Sequence, residues 1–240
     1  MARSTLQERY LARAARTYHT QLLKLKEDER QPVSAYLSKH GILNRGIWEA
    51  YRLGFVSSPL KGDERFTGML AIPYLTPAGV KALKFRRLVG RGPKYGQHEG
   101  QKPRLFNVLA FANATDQIGI CEGEIDAIAA TEGLHIPAMG VPGVDHWQAN
   151  AETWAPVFKD FGRVLVFADG DTPRCQCSPR CKLDCPNPVR PGEVLARRVA
   201  QTVGWRAQII YAPEGEDVAS LVAAGRGDVL TNQIRDFSDD

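Results

Sequence analysis

QIGIC (117–121), EIDAIAATEG (124–133), PAMGV (137–141), HWQANAETWAPVF (146–158), RVLVFADGD (163–171), GEVLARRVAQTVG (192–204) and RAQIIYA (206–212) follow one another along a single stretch of this 240-residue chain. Short runs rich in Ile, Val and Phe alternate with longer segments whose apolar residues recur at helical spacing. Strand, helix, strand repeated in this way builds βαβ units, in which a parallel sheet is covered on both faces. The expected class is therefore α/β, with a Rossmann-like parallel sheet. In such a sheet a site forms beyond the carboxyl ends of the strands.

The residues at those ends are Glu122 after the first strand, Gly140 and Gly143 after the second, and Asp169 with Asp171 after the third. Carboxylates brought side by side repel and raise one another's pKa unless a divalent cation holds them, and oxygen-only donors favour Mg2+ or Mn2+. The alternative is that DGD is only a turn and Glu122 only a helix N-terminal acid. It must then explain why all three fall on one sheet edge.

Upstream the pattern differs. Apolar residues at helical spacing run from Leu6 to Leu25, Pro32 is expected to open a short helix that Gly41 ends, and Asn44 to cap a helix RGIWEAYRL that stops at Gly54. GMLAIPYL (68–75) and VKALKFRRL (80–88) then read as a hairpin turning at 76–79, with Lys84 and Arg86 on the face opposite Phe85. Between residues 81 and 104 the basic residues Lys81, Lys84, Arg86, Arg87, Arg91, Lys94, Lys102 and Arg104 face a single acid, Glu99. The net charge of the chain is only +4, and its C-terminus carries Asp236, Asp239 and Asp240, so the charge is sorted along the sequence. Sorted charge points to an anionic partner for one region. The loop GRGPKYGQHEGQKPR (90–104) does not match a dinucleotide fingerprint and reads either as a flexible basic loop or as a phosphate-binding one.

Four of the five cysteines cluster as C-x-C-x3-C-x3-C at Cys175, Cys177, Cys181 and Cys185, within an insertion at about 172–190 that is rich in proline. Four thiolates in so short a loop would close a tetrahedral Zn2+ site where little apolar core exists; a reduced metal-free loop and a pair of disulfides are the alternatives. Cys121 is expected to be a buried strand residue, and His98, His135 and His146 to be surface or loop residues. With 43% hydrophobic and 24% charged residues the chain is of ordinary globular composition, and its longest unbroken apolar run, Val164 to Ala168, is far too short to span a membrane. Residues 1–22 lack the apolar core of a secretory signal. A soluble protein of a bacterial or phage-infected cytoplasm is expected.

The series CEGEIDA, GVPG and VLVFADGD resembles the Toprim domain, the Mg2+-binding fold of bacterial primases, topoisomerases and some nucleases and recombination mediators. Position by position, the resemblance implies that Glu122 acts as a metal-linked acid or base, that Asp169 and Asp171 hold Mg2+ or Mn2+, and that Asp126 is the acid of the EGxxD pattern, with Gly123, Gly140 and Gly143 in support. The upstream order LGF, GMLAIPY, FRR, PKY, LFN resembles DnaG-type primases. It implies a smaller α+β basic subdomain (1–115), in which Lys84, Arg86, Arg87, Arg91 and Lys94 contact nucleic acid and nucleotide, preceding a Toprim domain (116–240). PEGEDVASLV resembles a further primase motif that brings Asp217 to the metals, although the second acid usual there is replaced by Ala219.

The function implied is that of a DNA primase core, a DNA-dependent RNA polymerase making short primers from NTPs on a single-stranded DNA template. A metal-dependent Toprim nuclease and a non-catalytic DNA-binding mediator are the other readings. No cysteine occurs in residues 1–120, so the N-terminal zinc-binding domain usual in primases is not expected, and because the sequence stops soon after Asp217 the helicase-binding domain that usually follows is not expected either. A replicative helicase and a separate zinc-binding primase subunit are then the expected partners.

Overall fold

The alternation over 117–212 becomes a four-stranded parallel sheet in the computed structural model, which describes residues 5–175 and 188–234. The chain divides into two compact units, Met1–Arg104 and Leu105–Asp240. Residues 105–115, grouped with the basic subdomain in the sequence, contribute Leu105 and Ala110 to the core of the second unit, and Phe106 pairs with Gly140 there.

In the first unit α1 (Leu6–Lys24) starts at a capping box, in which Thr5 accepts from the Glu8 N–H while the Glu8 carboxylate accepts from the Thr5 N–H. α2 spans Glu27–Lys39, so Pro32 lies inside this helix and does not open it. The helix begins earlier because Glu27, Asp28 and Glu29 suit its N-terminal dipole and the Glu29 carboxylate accepts from the Lys26 N–H. Gly41, at φ 74°, ends α2 as expected, with the Ile42 N–H reaching back to Leu37 O.

Asn44 caps α3 (Arg45–Ala50), accepting from the Gly46 N–H at 2.7 Å. The stop, however, is Arg52 in a left-handed conformation (φ 50°), and not Gly54. Gly54 opens β1 (Gly54–Phe55), where a Cβ would come within 2.7 Å of the Tyr18 carbonyl carbon. Glycine is required there for close approach of strand to helix.

β1, β2 (Met69–Thr76), β3 (Gly79–Arg87) and β4 (Tyr95–Gln97) form an antiparallel sheet in that order. The hairpin is as expected. The basic loop differs: part of it is a strand, with Arg86 opposite Tyr95 and Lys84 opposite Gln97. Leu11, Ala14, Ala15 and Tyr18 of α1 bury one sheet face against Phe66, Met69, Leu83 and Phe85, and the Phe66 and Phe85 rings stack at 3.9 Å. At about 1.5–3 kcal/mol for each large apolar side chain removed from water, this layer carries the unit.

The second unit begins with α4 (Ala110–Asn113) and continues β5 (Gln117–Cys121), α5 (Glu124–Gly133), β6 (Ala138–Gly140), α6 (Val144–Trp154), β7 (Arg163–Ala168), α7 (Pro191–Val203), β8 (Ala207–Tyr211), α8 (Val218–Ala223) and α9 (Asp228–Thr231). Its sheet order is β6-β5-β7-β8, all parallel. On one face Ile118, Ile120, Val164, Val166 and Ala168 meet Trp147 and Trp154 of α6 and Leu195, Ala196 and Val199 of α7; α5 packs on β5 and β6 and against α8. The expected α/β class is the one found. No helix among the described residues is long and apolar enough to cross a membrane.

Candidate metal centre and basic strand

A sheet ordered β6-β5-β7-β8 reverses direction between β5 and β7, and crevices at such switch points are where α/β sheets bind ligands. Glu122 is the residue directly after β5 and Asp169 the residue directly after β7, so the two flank that point. Gly123 caps α5, and Gly140 ends β6 so close to it that a Cβ on Gly140 would lie 2.7 Å from Gly123 O. Gly143 stands before α6 at φ 117°, a conformation that excludes most side chains.

Burial pushes the Asp169 carboxyl well above the usual carboxylate range, with the charges of Asp126, Glu122, Asp217 and Asp171 adding to it. Asp126, in the first turn of α5, is raised to about 7 by burial and then by Asp217 and Glu122, although the Ala219 N–H donates to its Oδ1 at 3.0 Å. The carboxylates of Glu122, Asp126, Asp169, Asp171 and Asp217 thus share one electrostatic site. Besides Asp126, two of them already have local duties. Asp171 Oδ2 accepts from the Gly192 N–H at 3.0 Å, and Asp217 Oδ1 caps α8 through the Ser220 N–H at 2.7 Å. Cys121 is buried in β5 as expected, and burial beside these acids holds its thiol protonated.

Asp169, Asp171, Glu216 and Asp217 line a pocket of about 170 Å3 together with Gly170, Thr172, Arg174 and Gly215. Asp169 Oδ1 is buried there with no hydrogen-bond partner among the described residues. Such an orphaned oxygen is compatible with a bound cation. Among the described residues no three His, Cys, Asp or Glu side chains form a ready-made metal-ligand group. The donor set still suits Mg2+ or Mn2+, since Mg2+ is commonly held by one or two carboxylates, with waters and substrate phosphates completing its shell.

The insertion leaves and rejoins this site through a two-bond neck, in which Arg174 and Val189 exchange backbone hydrogen bonds at 2.8 and 3.0 Å. Cys175 sits just past it, half-buried. Cys177, Cys181 and Cys185 lie outside the described residues, and so does the rest of the expected Zn2+ site.

In the first unit the basic residues gather around an aromatic ring that the sequence reading did not single out. Lys84 Nζ lies 4.4 Å, the Arg86 guanidinium 4.8 Å and Lys94 Nζ 5.7 Å from the Tyr95 ring centre, and Arg86 also lies 5.1 Å from the Tyr36 ring. Arg86 donates to the Tyr95 hydroxyl, Arg87 Nε donates to Pro93 O at 3.2 Å, and Arg91 is exposed in the β3–β4 connection.

His98 lies in a loop just after β4, as expected, but it is half-buried. Its Nε2 lies 2.6 Å from Oδ1 of the fully buried Asp63, whose Oδ2 accepts from the Tyr18 hydroxyl at 2.5 Å. No local motif signals this pair, whose members lie 35 residues apart in the chain. His135 and His146 are exposed.

No family model matches the chain. It is 37% identical over 174 residues to the Gene 57 protein of Mycobacterium phage D29, a match covering 70% of this chain and 99% of that protein. Among solved structures, a DNA primase domain from Pseudomonas aeruginosa is 22% identical with a TM-score of 0.66, covering 95% of this chain and 77% of its own. A DnaG primase catalytic domain bound to single-stranded DNA gives 18% identity, a TM-score of 0.64 and coverage of 95% and 81%. The zinc-binding and RNA polymerase domains of the Aquifex aeolicus primase give 19% and 0.68, with 93% of this chain matched to 59% of that one. The fold is that of a DnaG catalytic core.

Proposed function

Because the chain belongs to the family of the Gene 57 protein of Mycobacterium phage D29 and has the fold of DnaG catalytic cores, we propose that it is a primase core synthesising RNA primers from NTPs on single-stranded DNA. The observation that carries this reading is the carboxylate group at the β5/β7 switch point, in a chain whose other unit presents a basic, aromatic strand.

Asp169 and Asp171, with Glu122 and Asp217 beside them, would hold Mg2+ or Mn2+. Bound there, the cation would neutralise the triphosphate and favour ionisation of the attacking 3'-hydroxyl. Glu122 would accept that proton. The Asp171 main chain and side chain are both tied down, by Arg190 to its carbonyl at 2.7 Å and by Gly192 to its carboxylate, so the acid is held before substrate arrives. Lys84, Arg86, Arg87, Arg91 and Lys94 supply sequence-independent grip on phosphates, and Tyr95 a ring on which a base can stack. The single-stranded DNA in one of the related structures supports a template of that kind. A helicase, and a zinc-binding subunit or the cysteine loop with Zn2+, complete the proposed partners.

The test is primer synthesis on single-stranded DNA with labelled NTPs and Mg2+ or Mn2+. Wild type should give short RNA products, and Glu122→Gln and Asp169→Asn should each lower the yield by at least about 100-fold. Metal-dependent cutting of the DNA in place of synthesis would favour a nuclease, and binding without turnover a mediator.

A further inference from the structure

The pocket beside Asp169 contains a carboxylate that the sequence reading left without a role. Glu216 lines it, and its Oε2 is buried with no hydrogen-bond partner among the described residues, as is Asp169 Oδ1. The position of Glu216 is set by the main chain and not by a mobile loop tip. The Ala212 N–H donates to Ala168 O at 3.0 Å, the Gly170 N–H to Glu216 O at 2.9 Å, and the Gly215 N–H to Gly170 O at 2.6 Å. These bonds continue the β7–β8 pairing past the strand ends and lock the 212–216 turn to the DGD turn. The other oxygen of Glu216 accepts from Arg226 at 2.6 Å, an ion pair that does not involve Oε2.

Two buried carboxylate oxygens without donors among the described residues, on one pocket of about 170 Å3, are a place where a bound cation would offset the cost of leaving them unpaired. The neighbouring positions supply only part of this need. Asp217 spends Oδ1 on capping α8, and Ala219 is fully buried with its N–H committed to Asp126. We propose that Glu216 is a further ligand of the divalent cation, binding through Oε2. This rests on the proposed metal centre and adds a donor to it.

Mn2+ binding to the full-length protein, measured by calorimetry and by the loss of the free Mn2+ electron paramagnetic resonance signal, tests this without any turnover. Wild type should bind Mn2+, Asp169→Asn should bind it weakly, and Glu216→Gln should lose at least about tenfold in affinity. Arg226→Gln removes the ion pair but keeps the carboxylate, so it should stay within about twofold of wild type.

If Glu216→Gln binds like wild type while Asp169→Asn does not, the Glu216 assignment is wrong and the metal centre stands. If Arg226→Gln falls as far as Glu216→Gln, the ion pair acts structurally and the assignment again fails. If wild type binds no Mn2+, both the metal centre and this ligand are overturned. Thermal melts confirm that each variant is folded. Should Glu216→Gln not fold, Glu216→Asp, which keeps the charge but withdraws the oxygen by one methylene, is judged by the same tenfold criterion.

Discussion

At Asp126 burial and the charges of Asp217 and Glu122 act together against ionisation, and the single N–H from Ala219 does not offset them, so the carboxyl titrates near 7. In the unfolded chain it would titrate near the ordinary value of about 4. Below that value both states hold the proton and the group costs nothing. As the pH rises toward 7 the unfolded state ionises freely while the folded state resists, so stability falls through this window and levels off above it. Asp126→Asn removes the penalty, and its amide oxygen can still accept from Ala219. With divalent metal removed, the variant should melt near wild type at pH 4.5 and a few °C above it at pH 8, since 1 kcal/mol moves the Tm of a unit this size by roughly 4 °C. The same variant should make less primer, because the site's acids serve the cation at the cost of the apo fold. A melting difference that does not grow between the two pH values would sink this account.

β4 shows what an element adds to residues already visible in the sequence. Lys84, Arg86 and Lys94 were legible as a basic stripe because charge is a local property. Their common centre, Tyr95, became apparent only when β4 paired with β3 and set Arg86 opposite that ring. Stacking of a base on an aromatic side chain contributes roughly 1–3 kcal/mol, so Tyr95→Ala should weaken single-stranded DNA binding by about 5- to 150-fold with little change in salt dependence. Lys94→Ala should instead reduce the slope of log affinity against log salt by about 0.7. Fluorescence anisotropy across a salt series separates the two. If Tyr95→Ala changes the slope and not the intercept, the ring serves only to hold Arg86. The same distinction explains what was legible elsewhere. α5 falls on its expected span, and Glu122 and Asp169 on strand ends, because strand and helix periodicity are local. Pro32 within α2, Gly54 within β1 and the Asp63–His98 pair depend on capping, close packing and pairing between distant segments, which a linear reading does not carry. Glu216 was missed for a related reason: its place is set by main-chain bonds to Gly170, and no spacing in PEGEDVASLV announces them.

Across the whole molecule the two chemistries fall on different units. The run of basic residues from Lys81 to Arg104 lies within Met1–Arg104, whereas Glu122, Asp126, Asp169, Asp171, Glu216 and Asp217 lie within Leu105–Asp240. A net charge of +4 conceals this division. Salt acts on phosphate contacts through counterion release, and divalent metal acts on carboxylates through desolvation and repulsion, so the two responses should be separable by mutation. Excess Mn2+ at pH 8 should raise the Tm of wild type, since a ligand at 100 times its Kd adds about 2.7 kcal/mol to the state that binds it. The gain should be smaller at pH 5, where protons compete for Asp126 and Asp169. Lys94→Ala should keep the full Mn2+ gain and lose DNA affinity, while Asp169→Asn should lose the Mn2+ gain and keep the wild-type salt slope. Thermal melts with and without Mn2+, set beside anisotropy on the same three proteins, give the four responses. If Asp169→Asn flattens the salt slope, or Lys94→Ala abolishes the Mn2+ gain, then grip and chemistry are energetically linked and the division of labour between the units fails.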